Sequence, residues 1–462
     1  MTKSICCTFL IFYTAFCFSQ TNTGSLFKKN DRVCFVGNSI TDIGGFHHNI
    51  LLYHVTRFPD QPLSFFNCGI SGDETGAILN RIDTDILIHQ PTHVVIMAGM
   101  NDVQIYLYVP WVTSNADTLQ QRRNAIDIYK VNYEKIINIF LSKNVKVILE
   151  KPTIYDQTAV LPAYNSFGVN DALKICADFI GDMAVKYNLP VVDYWTIMNN
   201  INKEMQQKDP SATITGPDRV HPTSPGFLVM AYQFLKSEKV PQYVSKIIIG
   251  KSITESSKKN LNCEFNSFKK ICGGISFSVK EMALPFPVID DQPDGLKLVP
   301  FESELNLELL QAPDLKSGQY QLTIDDKMIG TFSDAQFKEG INLADFSETP
   351  QYKQAMEVRD KLTKLWNLEA NLRTIHFIEY DPYFKTCPDK DNLYAAKTYL
   401  DSVFTLKYGS QSYIKAQLEK YLSVKPKEKE FETECDILRK EAFQVAQTKE
   451  HRFLILHQPT DK

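Results

Sequence analysis

The segment Asp218-Arg219-Val220-His221-Pro222 sets a carboxylate three residues ahead of an imidazole on a proline-bounded stretch. At that spacing the acid can accept from one ring nitrogen while the other takes a proton from a hydroxyl. Val33-Cys34-Phe35-Val36-Gly37-Asn38-Ser39-Ile40-Thr41 offers such a hydroxyl, because an apolar run ends at a glycine and puts Ser39 on the turn into a helical pattern. A serine there lies near helix N–H groups that favour a developing negative charge. A hydroxyl, an imidazole and a carboxylate are the parts of a proton relay for nucleophilic attack.

Two further segments could hold the charge that such an attack creates. Asn67-Cys68-Gly69-Ile70-Ser71-Gly72-Asp73-Glu74-Thr75 runs from an apolar stretch into a loop with two glycines, where a substrate can approach the backbone closely. Val94-Val95-Ile96-Met97-Ala98-Gly99-Met100-Asn101-Asp102 places an uncharged amide donor where another apolar run ends. Taken singly, each segment has an ordinary structural explanation: a turn, an Asx-turn, a helix cap or a surface His–Asp pair. Together, in one order and each at the end of an apolar run, they supply every part of an acyl-transfer site.

In that combination the chain resembles the SGNH (GDSL-like) hydrolases, whose blocks read Gly-Asp-Ser, Gly, Gly-x-Asn-Asp and Asp-x-x-His. The resemblance covers about residues 31–251. It implies Ser39 as nucleophile, His221 as base and Asp218 as its orienter. It implies an oxyanion hole from the Ser39 N–H, the Gly72 N–H and the Asn101 side-chain amide. Asn38 stands where the family usually has Asp, which keeps the size and the capping oxygen but removes a charge. The G-x-S-x-G elbow of the α/β-hydrolases is absent around Ser39. The implied reaction is ester hydrolysis through an acyl-serine, with no metal or organic cofactor. Tyr106, Tyr108 and Trp111 follow the Asn101 segment and are candidates to stack on a sugar ring or acyl chain, with loop packing as the alternative. His47 and His48 are expected in an exposed first helical turn, with no third residue to complete a metal site. Asp42 is expected to cap that helix.

The elements that must position these residues alternate strand and helix. Strands are expected at Val33–Val36, Ser64–Asn67, His93–Ala98, Val145–Glu150 and Pro190–Asp193, all short apolar runs of the kind buried on both faces. Helical periodicity lies at Phe46–Arg57, Ala77–His89, Leu119–Lys143, Asp171–Tyr187 and Pro225–Lys236. Such alternation predicts a parallel, doubly wound sheet with reactive residues at the carboxyl ends of its strands. The family adds a flavodoxin-like three-layer sandwich with strand order 2-1-3-4-5.

Residues 252–273 read as a polar linker, with two lysine pairs and no periodic apolar face. Residues 274–349 read as a small antiparallel β unit, with strands at Ile275–Val279, Leu305–Leu310, Tyr320–Ile324 and Met328–Phe332 and a hairpin turn at Asp325-Asp326-Lys327. Residues 350–450 read as helical, opened by Pro350, with helices to about Ile378 and over Asn392–Tyr421 and Lys427–Gln447 and a break at Lys425-Pro426.

The 462 residues exceed one ordinary core, and a net charge of −4 gives no electrostatic footprint for nucleic acid. Lys3 followed by the apolar run Ile5–Phe18 and a polar stretch has the layout of a signal peptide over residues 1–20, which implies secretion to the periplasm or beyond, with a retained anchor as the rival reading. Phe16 is a poor neighbour for lipidation at Cys17. No later segment is apolar enough to span a bilayer. Cys34 and Cys68 read as buried thiols, whereas Cys263 and Cys272 could form a disulfide or remain free. The function expected is a secreted esterase removing acetyl or similar small acyl groups from a carbohydrate. A lipase or lysophospholipase is the alternative within the same chemistry, and a non-catalytic carbohydrate-binding protein the alternative outside it. Oligomeric state is not encoded in any pattern of the sequence.

Overall fold

The computed structural model describes residues 25–288, 291–410 and 412–459; the signal-peptide segment and Cys17 lie outside them. Five parallel strands, β1 (Arg32–Gly37), β2 (Ser64–Gly69), β3 (His93–Met97), β4 (Lys146–Lys151) and β5 (Val191–Asp193), form a sheet in the order 2-1-3-4-5. Side chains alternate between its two faces. Val33 and Phe35 join one core, with the helices Gly45–Arg57 and Ser224–Glu238. Cys34 and Val36 join the other, with the helices Ala116–Ser142 and Val169–Tyr187. Burial on both faces explains why the strands read as unbroken apolar runs. The helix Tyr194–Gln206, not expected from the sequence, follows β5 and is capped by Asp193.

The stretch read as a linker is instead a short helix, Ile253–Lys259, and a nine-residue strand, Cys263–Ile271. That strand is an outer member of a second, antiparallel five-stranded sheet, in the order Lys327–Ser333, Gln319–Ile324, Glu450–Gln458, Gly274–Glu281, Cys263–Ile271. Edge strands carry charged residues that discourage further pairing, and Lys269 and Lys270 gave this one its linker-like composition. Cys263 and Cys272 stand at opposite ends of it. Nine residues at about 3.3 Å each separate them by roughly 30 Å, far beyond the reach of a disulfide, and both are free thiols. The hairpin turn is formed by Asp325 and Asp326, both with positive φ (47° and 64°), the backbone of a two-residue turn whose twist suits antiparallel strands.

The region read as helical contains Pro350–Glu379, Leu393–Tyr408, Tyr413–Val424 and Glu428–Val445, and it gives way to the sheet strand Glu450–Gln458. The expected helix over Asn392–Tyr421 is split at Gly409, whose φ of 88° ends the first segment. These helices are not a detached appendage. Val358, Leu362, Leu365 and Trp366 from one, and Leu438, Ala442 and Phe443 from another, belong to the same core as Phe46 and Phe234 of the hydrolase-like part.

Candidate active site

The four segments converge at the carboxyl edge of the parallel sheet. β1 ends at Gly37, where a Cβ would lie 2.2 Å from Thr41 Oγ1 and 2.7 Å from the Met97 carbonyl, so only glycine permits the turn. Asn38, buried, caps the following short helix Ser39–Ile43 by accepting from the Ile40 N–H. A neutral amide does this in a buried position without the desolvation penalty of the family's usual carboxylate. The cap leaves half-buried Ser39 as the first residue of that helix, with an N–H that has no intrahelical partner.

His221 and Asp218 stand at the tip of a hairpin-like loop closed by the Thr215–Pro222 bridge and by Thr223 N–H donating to the Ile214 carbonyl. Ser39 Oγ lies 2.7 Å from His221 Nε2, and His221 Nδ1 lies 2.6 Å from Asp218 Oδ2. The other carboxylate oxygen accepts from the backbone N–H groups of Val220 and His221, which fixes the carboxylate plane. Burial raises the Asp218 carboxyl, but the hydrogen bonds from His221 and these backbone groups outweigh it and hold the group below its ordinary range. The loop is anchored by Arg219, which has a φ of 67° and buries its guanidinium against the carbonyls of Asp156, Ala159, Ala163 and Tyr164.

Gly72 is the third residue of a turn in which Asp73 N–H donates to the Ile70 carbonyl, and its φ of 88° is what such a turn requires. One N–H of the Asn101 amide donates to the Asp73 carbonyl at 2.9 Å; a primary amide carries two, so the second is left for a ligand. Asp102 binds the Thr75 N–H and hydroxyl, tying this loop to the Gly72 loop.

The remaining sequence candidates divide. Trp111 and Tyr106 are exposed, Trp111 standing edge-on to Tyr164 at 5.0 Å. Tyr108 is buried beneath the Arg122 guanidinium and against Gly168, so its ring packs the loop instead of facing a substrate. His47 is buried rather than exposed, bonded to the Thr41 carbonyl, and burial pushes its pKa down to about 4. His48 lies flat on Trp366. Asp42 caps no helix; its carboxylate accepts from the Ser71 hydroxyl. Among the described residues no group of three or more His, Cys, Asp or Glu is arranged to hold a metal ion, and no helix is long and apolar enough to cross a membrane.

Residues 35–227, which include all five positions of the relay and the proposed donors, match the model of the GDSL-like lipase/acylhydrolase family. The chain is 23% identical over 227 residues to an acetylxylan esterase from Geobacillus stearothermophilus, covering 45% of this chain and 94% of that one. It is also similar to the solved structure of a gut microbial diltiazem-metabolizing enzyme, with 30% identity, a TM-score of 0.84, and coverage of 94% of this chain and 99% of that one. This chain belongs to the GDSL-like lipase/acylhydrolase family. It is a carboxylic ester hydrolase on the SGNH fold.

Behind the Gly72 turn this GDSL-like hydrolase carries a buried charge network that the sequence reading missed. Arg373, from the helix Pro350–Glu379, donates through Nε to the Gly69 carbonyl at 2.9 Å and grips both oxygens of Asp85 at 2.8 and 3.1 Å. Arg81 bonds the same Asp85, the Asp73 carboxylate at 2.7 Å and the Gly37 carbonyl at 3.2 Å. Burial raises the Asp85 carboxyl, but Arg373, His376 and Arg81 together hold it well below its ordinary range. No local pattern marks Arg373, because its partners lie about three hundred residues away.

Proposed function

We propose that the protein removes acetyl or similarly small acyl groups from the hydroxyls of a carbohydrate, outside the cytoplasm, with Ser39 as nucleophile. The observation that carries this reading is the continuous chain from Ser39 Oγ to His221 to Asp218, at 2.7 and 2.6 Å. His221 accepts the Ser39 proton as the hydroxyl attacks the ester carbonyl, and ionised Asp218 steadies the imidazolium that forms. The N–H groups of Ser39 and Gly72 and the free amide N–H of Asn101 receive the oxyanion. Collapse passes the proton from His221 to the leaving alcohol; water, deprotonated by the same imidazole, then releases the acyl group from Ser39.

The acetylxylan esterase relative supports acetylated carbohydrate as the substrate class. So does the pair Trp111 and Tyr164, 70% and 57% exposed and in edge-on contact from two loops, with the Tyr164 carbonyl accepting from Arg219, the residue beside Asp218. Exposed rings suit stacking on a sugar face, here on a part of the glycan beyond the esterified unit. The apolar run near the N-terminus supports export.

The test is a fluorophosphonate label followed by peptide mapping, together with a panel of acetylated xylo-oligosaccharides, lysophospholipid and diltiazem. Labelling at Ser39, and acetate release that Ser39→Ala abolishes, is the expected result. Labelling of a different serine, or a preference for the lysophospholipid, overturns the reading. Diltiazem belongs in the panel because a relative similar along most of this chain metabolizes it.

A further inference from the structure

A cavity of about 710 Å³ lies between the Ile70–Asp73 turn and the helices after residue 377. One wall carries Gly72; the opposite wall carries the rings of Phe377, Tyr380, Tyr408 and Tyr413. We propose that this cavity receives the alcohol part of the ester, and that this part is a neutral, ring-bearing polyol such as a sugar. The inference rests on the ester-hydrolase reading of Ser39 and Gly72 and adds to it the half of the substrate that the parallel-sheet domain does not hold.

Size selects the alcohol over the acyl group. The volume falls within the roughly 300–1,000 Å³ typical of sites that enclose a whole small-molecule ligand, whereas an acetyl group is two carbons. Chemistry selects a ring with hydroxyls. Tyr413 and Tyr408 are 60% and 42% exposed although they are large rings, and amide and hydroxyl groups of Asn80 and Ser412 line the same space. Ring faces among a few hydrogen-bonding groups are the usual lining of such sites. Charge selects a neutral ligand. The charged groups in the lining are two acids, Asp73 and Asp381, and two bases, Arg81 and Lys385, so no net field attracts a phosphate headgroup.

The cavity is also preformed. Arg373 joins its helical wall to the Gly69 carbonyl, and Tyr380 joins the same wall to the sheet domain by donating to the Thr84 carbonyl at 2.9 Å. The C-terminal helices thus form part of the substrate site.

The test uses the full-length protein and its Tyr408→Ala/Tyr413→Ala double variant, whose replaced rings are 42% and 60% exposed. The first readout is the ratio of kcat/KM for acetylated xylobiose to that for ethyl acetate, whose alcohol has no ring. The expected result is a fall of at least tenfold in that ratio, carried by KM. The second readout is calorimetric binding of acetylated xylobiose to Ser39→Ala, with and without the two tyrosine changes, where at least tenfold weaker binding is expected. An unchanged ratio with equal binding overturns the proposal. Ring-dependent binding in a protein whose wild type lacks Ser39-dependent hydrolysis overturns the esterase reading and supports the cavity assignment.

Discussion

Arg373→Met should separate the two roles of the C-terminal helices, as scaffold and as support for the oxyanion turn. The substitution keeps an unbranched apolar stem but deletes the bonds to the Gly69 carbonyl and to both oxygens of Asp85. Breaking one side of a buried ion pair costs about 3–5 kcal/mol. Arg81 and His376 still face Asp85, so the low end, about 3 kcal/mol, is expected. Because the Asp85 carboxyl is held below its ordinary range, its contribution is present above the unfolded carboxylate pKa and is lost as pH falls through the lower folded value. The penalty of the variant should therefore be full at pH 7 and shrink below about pH 4. Activity should suffer through geometry. Losing an oxyanion donor outright costs about 10²–10³ in rate; loosening the turn that carries Gly72 should cost about 10–10² in kcat, with KM for ethyl acetate changed less than threefold. Steady-state kinetics beside thermal melts of wild type, Arg373→Met and Arg373→Lys provide the assay, with Lys expected to recover part of kcat because it keeps the charge but not the fork. A variant that melts lower yet keeps wild-type kcat would refute the coupling between that helix and the turn.

Three other outcomes are expected. His221→Ala should leave only residual hydrolysis of a soluble acetyl ester and Asp218→Asn should be milder, because Asp218 orients the ring without touching the reacting atoms; equal loss in both argues against that division, and EDTA should change neither. Gly72→Ala should lower kcat through its φ of 88° alone, since nothing lies within 4 Å of the added Cβ; a wild-type kcat would remove Gly72 from the site. Burial pushes the Glu150 carboxyl up to about 8 against the hydrogen bond from Tyr194, so this acid costs stability progressively as pH rises from the ordinary carboxylate range through 8. Glu150→Gln should then raise the melting temperature at pH 9 and not at pH 5, and an equal change at both values would contradict the raised pKa.

The parallel sheet and the relay are legible in the sequence because their signals are local. A strand buried on both faces is an unbroken apolar run, and Asp218 and His221 lie within one turn of each other. Gly37, Gly72 and Asn101 are visible for the same reason, each standing where such a run ends. What escapes is set by distant contacts. Arg373 looks like any helical arginine until Asp85 and Gly69 are brought to it. His47 and His48 look like an exposed pair because their burial depends on Trp366 and on the core around Phe35. The strand Cys263–Ile271 is masked by lysines suited to a sheet edge, and Tyr108 is separated from Trp111 only by the packing of Arg122 and Gly168.

The antiparallel sheet has an assembly consequence. Its middle strand, Glu450–Gln458, separates two hairpins, Cys263–Glu281 and Gln319–Ser333, and is the last of the five to leave the ribosome. Until it arrives, each hairpin presents an unpaired edge and neither can bond the other. Such edges are sticky, and pairings that close long loops form slowly. The nascent chain therefore lacks a finished second sheet until residues 450–458 have been made. It also makes the strand sensitive to shortening: removing residues 450–458 would take out the central rung on which both hairpins depend.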